Sequence, residues 1–298
     1  MFIVKHKYFF VGLSLIMFLL SCFSIFHYGL NLGIDFKGGS IMEIDYNDVR
    51  PDVTAVKEAL SSLNIGETVV QETGDKGLLI KMRDLKEGER VSVVKALAIN
   101  GAKFDEKRFD SIGPVIGEEM SRKAVVAIVL VSIMIALFIA FAFRHVSQPV
   151  SSFKYGIAAL IALLHDTVIP TGIMAYMGAK YGTEMDLLFV SAILAILGIS
   201  VHDTIVVFDR TRENLKNKVS KSFEETVGIS LNQTFVRSIN TSATTIFTLL
   251  ALYFLGGEST KTFSLILAVG VFFGTYSSVF LASPLLLLME GWQGKRKK

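Results

Sequence analysis

Residues 185–208 read MDLLFVSAILAILGISVHDTIVVF, an apolar run long enough to cross a membrane, with Asp203 set inside it. A hydrocarbon core takes about 20 apolar residues in helical form. A carboxylate placed there costs about 2.5–3.5 kcal/mol on insertion scales, so it marks chemistry by default. The run is followed at once by the charged stretch DRTREN, Asp209–Asn214, and a later apolar stretch opens with its own charge, Arg237. An acid and a base on neighbouring membrane helices are therefore the first candidates for function.

The rest of the chain agrees with a membrane setting. Of its 298 residues 51% are hydrophobic and 19% charged, against about 25% charged in an ordinary soluble domain. Five prolines and one cysteine exclude a disulfide scaffold and a cysteine-based zinc site. Six stretches have spanning length: Tyr8–Tyr28, Ala124–Phe143, Tyr155–Met177, Met185–Phe208, Ile239–Leu255 and Phe263–Met289. Orientation follows from lysine and arginine in the short loops. Lys5, Lys7, Arg144, Lys154, Arg210, Arg212, Lys216, Lys218, Lys221 and the tail Lys295, Arg296, Lys297 and Lys298 fall on one side, and Lys180 and Lys261 on the other. Arg122 and Lys123 run against the rule, but the balance predicts cytoplasmic termini. Lys5 and Lys7 before an apolar run resemble a signal peptide, and Leu19-Leu20-Ser21-Cys22 a cleavage box. The run continues through Phe26, which favours an uncleaved anchor with Cys22 a buried thiol.

The expected plan is thus residues 1–30 as a cytoplasmic N-terminus and first helix, and 31–122 as an external domain. Residues 123–290 carry helices two to six with a cytoplasmic loop at 209–236, and 291–298 form a basic tail. Within the external domain Ser40–Tyr46, Glu67–Thr73, Gly77–Arg83 and Ala102–Asp110 read as strands. Val53–Leu63 and Glu87–Asn100 read as amphipathic helices, the first apolar at Val53, Val56, Leu60 and Leu63, the second at Val91, Val94, Leu97 and Ala98. That order, β-α-β-β-α-β, is a ferredoxin-like α+β unit. The stretch Lys37-Gly38-Gly39-Ser40 lacks the upstream glycine of a phosphate loop, and Gly38–Gly39 is expected to act as a flexible hinge.

Polar groups inside the spans concentrate in three places. In the fifth, Gln233, Arg237, Asn240, Thr241, Thr244, Thr245 and Thr248 recur at spacings of three and four. Such a stripe faces protein or a watery cavity; helix–helix hydrogen bonding alone also accounts for the threonines. In the fourth, Ser200, Asp203 and Thr204 share a face with Ala192, Ala195 and Ile196. Asp203 and Arg237 are expected at similar depth, as a static ion pair or as one that opens when Asp203 is protonated. The tripeptide His-Asp-Thr occurs at His165–Thr167 and again at His202–Thr204. Adjacent helical residues point about 100° apart, which disfavours a metal chelate; His165 beside Asp166 suits a proton relay or a hydrogen-bonding cap. Paired membrane aspartates raise an intramembrane protease, but LLHDT and SVHDT lack the Tyr-Asp and Gly-x-Gly-Asp contexts such enzymes use. No enzyme is expected.

Five motifs, taken together, resemble the SecF family of bacterial protein export, half-sized relatives of the RND transporters. They are GIDFKGGS at Gly33–Ser40, SIGPVIGEE at Ser111–Glu119, HDT at His165–Thr167, DTIVVFDRTREN at Asp203–Asn214 and SLNQTFVRSINTSATT at Ser230–Thr245. The resemblance implies six membrane helices, half of an RND-type bundle, in a bacterial inner membrane. It implies pairing with SecD, association with the SecYEG channel, with YajC and YidC as further partners, and exported preproteins as cargo, without nucleic acid. It also implies use of the proton-motive force, or of Na+, with no cofactor and no metal. Proton coupling falls by the motifs on Asp203 and Arg237; the residues themselves point to His202, Thr204, Asn240, Thr241, Thr244, His165 and Asp166 as a supporting polar network and to Gly38 and Gly39 as the hinge. The family usually has asparagine where this chain has His202, which adds a titratable step or a neutral substitute. A passive translocon-stabilising factor and an RND-type exporter of small molecules or lipids are the competing readings; one modest external domain argues against the exporter.

Overall fold

The computed structural model describes residues 2–66, 68–144 and 150–296, without the side chains of 258, 259 and 291–296. The start of the expected Glu67–Thr73 strand and the charged side chains of the basic tail lie outside the described residues. The chain divides into two compact units, Leu32–Val125 on one hand and Met1–Asn31 with Val126–Lys298 on the other.

The smaller unit opens with a short helix after α1 (Phe2–Lys5) and α2 (Lys7–Tyr28) of the other unit: α3, Ile34–Lys37. Then come β1 (Gly39–Tyr46), α4 (Val53–Ser61), β2 (Val69–Thr73), β3 (Gly77–Met82), α5 (Glu87–Leu97) and β4 (Phe104–Ile112). The sheet order is β2-β3-β1-β4 with every neighbouring pair antiparallel, the ferredoxin-like arrangement the spacing predicts. Alternation along β1 and β3 sends Met42, Ile44, Tyr46, Leu78, Ile80 and Met82 into one core with Val56 and Leu60 of α4 and Val93 and Leu97 of α5. The Asp52 carboxylate caps α4 by accepting from the Thr54 N–H (3.3 Å). The face expected for α5 is corrected: Val93, not Val91, enters the core, and Val91 is exposed. The run Val91-Ser92-Val93-Val94 allows both registers, and packing against the sheet selects the one that pairs Val93 with Leu97.

Gly38 and Gly39, the expected hinge, sit at a tight crossing. Gly38 has φ +78°, and a Cβ there would stand 2.7 Å from the Pro114 Cα. A Cβ on Gly117 would stand 2.7 Å from the Gly38 nitrogen. Only glycine lets these two backbones approach so closely.

Among the described residues, six helices are long and apolar enough to cross a membrane. They are α2; α6 (Pro114–Ala142); α7 (Ser152–Tyr181); α8 (Leu187–Lys216); α9 (Phe223–Leu255); and α10 (Glu258–Ser277), which a π turn at Ser278–Ala282 joins to α11 (Ser283–Arg296). Two boundaries differ from expectation. Helix α6 starts at Pro114, inside the stretch assigned to the external domain. Most of the expected loop 209–236 is helix: α8 continues to Lys216, carried by the Asp209–Arg212 and Arg210–Glu213 pairs (2.6 Å each). Helix α9 begins at Phe223, where Ser222 Oγ accepts from the Glu225 N–H (3.1 Å). Charged residues end an apolar span without ending its helix.

In this larger unit α10 packs on α7, α8 and α9. Its Gly270 and Gly274 face α8 so closely that added Cβ atoms would stand 2.0 Å from Ile196 Cδ1 and 2.9 Å from Ser200 Cβ. Small residues four apart are the usual means by which membrane helices approach.

Candidate functional site

That close approach sets the site. Ser200, Asp203 and Thr204 share the buried face of α8, as the spacing predicts, and Thr275 of α10 with Ser278 of the π turn bonds to it. Asp203 is 5% exposed; its Oδ2 lies 3.2 Å from Thr275 Oγ1 and 3.4 Å from Ser242 Oγ of α9, and these two hydroxyls are also within bonding distance of each other, so their two protons are shared among three contacts. Thr204 and Ser278 share a 2.7 Å hydroxyl bond. Asp166 on α7 is wholly buried, its Oδ2 accepting from Ser200 Oγ (2.5 Å) and Ser277 Oγ (2.7 Å), with His165 Nδ1 3.0 Å from its Oδ1.

The expected Asp203–Arg237 ion pair is absent among the described residues. Ser242 is five residues beyond Arg237, about 140° further around α9, so when Ser242 faces Asp203 the arginine points elsewhere. Arg237 is exposed and lines a cavity of about 320 Å³ with Asp209, Arg210, Glu213, Gln233 and Thr234. Asp203 lines a different cavity, of about 280 Å³, with Gly198, His202, Thr241, Ser242 and Thr245. Both cavities lie between α8 and α9, one after the other along the same two helices. At the far end Gln233 Oε1 accepts from Arg210 Nε (2.6 Å) and Asn214 Nδ2 (2.9 Å).

The stripe on α9 is thus split. Ser238 and Ser242, which were not singled out, face inward, while Gln233, Arg237, Asn240, Thr241, Thr244 and Thr248 are exposed. His202 is exposed beside them. Thr241, Thr244, Thr245 and Thr248 donate to carbonyls three or four residues back in their own helix. Thr275, Ser277 and Ser278 were missed as well. The signal for them was present: the GVFFG spacing of Gly270–Gly274 runs directly into TYSS, polar groups that only a close helix contact would bury.

Two sequence families match. One, described as protein export membrane protein SecD/SecF, C-terminal, covers residues 92–292, and the SecD/SecF GG motif covers residues 23–48. The protein translocase subunit SecF of Thermobaculum terrenum is 44% identical over 98% of this chain and 94% of its own length. The chain belongs to the SecF family. The SecF of Anaerolinea thermophila is 36% identical over 97% of this chain and 94% of its own. Among solved structures, SecDF of Thermus thermophilus, a translocon-associated membrane protein, superposes with a TM-score of 0.81 at 30% identity. A SecDF structure in the super-membrane-facing form gives 0.68 at 31%. This chain is covered to 98% and 99%, but spans only 38% and 39% of those SecDF chains. As a SecF-family member it is a multi-pass membrane protein of the Sec export system.

Proposed function

We propose that the chain pairs with SecD in the bacterial inner membrane, both termini cytoplasmic, and that the pair uses the proton-motive force to promote preprotein movement through SecYEG. The observation that carries this reading is the environment of Asp203. The carboxylate is buried in a membrane bundle, held by neutral hydroxyls, and opens onto a polar groove. In this arrangement the group can exchange a proton without first breaking an ion pair. Arg237, one cavity further along the groove, is drawn toward Asp203 when it is ionised and released when it is protonated. The separation of the two in this structure fits the released state. Each charge crossing the membrane supplies about 2.3 kcal/mol per 100 mV.

The test is export of a secreted reporter in cells depleted of their own SecF and supplied with this chain and its cognate SecD. Chain level and co-purified SecD are measured alongside. Wild type restores export and Asp203→Asn, assembled to the same level, does not. Equal rescue by Asp203→Asn sinks the coupled reading and leaves a passive stabilising factor. Repeating the assay with an imposed sodium gradient in place of the proton gradient decides the ion.

A further inference from the structure

The second carboxylate of the bundle is enclosed more completely than Asp203 and has a base of its own. Asp166 is held from three sides, by Ser200 of α8, Ser277 of α10 and His165 beside it. His165 is 2% exposed, stacked on Tyr276 (ring centroids 6.1 Å, planes 21°) with Phe273 edge-on. Its Nε2 has no hydrogen-bond partner among the described residues. Leaving a buried ring nitrogen unpaired costs about 1–3 kcal/mol, which asks for a reason. The ring lines a cavity of about 260 Å³ with Val11, Leu15, Ile161 and Leu281, where the other polar side chain is Ser14.

With Asp166 ionised, Nδ1, 3.0 Å from its Oδ1, carries the ring proton, and Nε2 is left with a basic lone pair. Hydronium gives up its proton there: the N–H bond forms as an O–H bond of the hydronium breaks, and water is released. The pair then passes from a net charge of −1 to a neutral imidazolium–carboxylate pair. In an apolar bundle the neutral pair is the cheaper of the two to bury.

Helix α10 stands between the two carboxylates. Thr275, on Asp203, and Ser277, on Asp166, are two residues apart and so point about 200° apart around the helix. Regular helical bonding is interrupted beside both contacts. Pro170 has no N–H to give the Asp166 carbonyl, and the π turn begins at Ser278. Other titratable groups facing the pair are few among the described residues. Tyr276 comes from α10, and Asp203 lies one turn along α8. The α2 side contributes Ser14, and the π turn and α11 contribute Leu281 and Leu285.

We propose that His165–Asp166 is a second proton-binding centre, with His165 Nε2 as the acceptor, and that α10 couples its charge to that of Asp203. Its consequence for export rests on the ion-coupled reading above, whereas its titration is measured without export.

The experiment follows the ring-nitrogen resonances of ¹⁵N-histidine-labelled full chain, with SecD, in lipid nanodiscs through a pH series. His165→Gln assigns the signal. The His165 Nε2 resonance is expected to pass from the unprotonated to the protonated form within the pH series. Asp203→Asn is expected to move its midpoint by about 0.5 pH unit or more, since neighbouring charges shift titrations on that order. Ser277→Ala, which changes no charge, is expected to weaken that coupling. A His165 signal constant across the range overturns the proposal, and so does a midpoint indifferent to Asp203→Asn. Loss of export in Asp203→Asn alongside a silent His165 would leave the export reading standing and remove only this one.

Discussion

Asp203 is held by two hydroxyls, and the geometry predicts what each loss does. Thr275→Val keeps the shape of the side chain but removes a donor, leaving Ser242 alone on the carboxylate. The expected outcome is a bundle less stable by about 1–3 kcal/mol, read as a lower unfolding temperature in detergent, with SecD binding retained. In the smaller unit, Tyr46 is buried and donates to the Leu97 carbonyl (2.8 Å), and burial pushes its hydroxyl from the ordinary 10 up to about 12. A raised folded value means that the contribution is whole below pH 10 and is lost as pH rises through about 12. Tyr46→Phe should therefore flatten the alkaline arm of this unit's unfolding, followed by circular dichroism, while lowering stability at neutral pH. Asp203, Asp166 and Arg237 were legible in the sequence because a charge within an apolar run is costly wherever it points. Thr275, Ser277 and Ser278 carry no charge and show only through the Gly270–Gly274 spacing beside them. Serine and threonine can bond their own helix, as Thr241 and Thr248 do, so composition alone does not say which ones look outward to a partner.

Helices and strands were easier to read than their ends. The six spans and the β-α-β-β-α-β order follow from periodicity, which packing merely ratifies. Boundaries failed where hydropathy and helicity part company: residues 209–216 leave the apolar run, yet their i,i+3 ion pairs continue α8. The crossings were the least visible feature, since a glycine's role depends on what approaches it. Gly38→Ala should be severely disruptive, because a Cβ at φ +78° would also stand 2.7 Å from the backbone of Pro114. Gly270→Ala meets a side chain instead, Ile196 Cδ1 at 2.0 Å; repacking limits its cost to about 1–3 kcal/mol. Gly12, with nothing within 4 Å, is the control, and Gly12→Ala should be neutral. Accumulation of the three variants in membranes, with thermal unfolding of those that accumulate, checks the order.

For the molecule as a whole, the decisive surface is the outward side of α9. Hydrocarbon would strand Arg237 and Asn240 there, because lipid offers no partner for a guanidinium or an amide. The exposed apolar face of α6, with Val126, Leu130, Leu137 and Phe138, meets no such difficulty. The two faces therefore predict different neighbours, lipid for α6 and protein or water for α9. The SecDF chains, of which this one spans 38–39%, are large enough to supply a second helical unit. With Cys22 replaced by serine, a single cysteine at Asn240 or Thr244 should react with a water-soluble maleimide in the chain alone and be protected when SecD is co-expressed. A cysteine at Leu130 should stay unreactive in both. Protection at Leu130 but not at Asn240 would place SecD on the wrong side of the bundle. The α8–α9 groove would then face lipid or solvent, and a proton path lined by Asp203 and Arg237 would have no second wall.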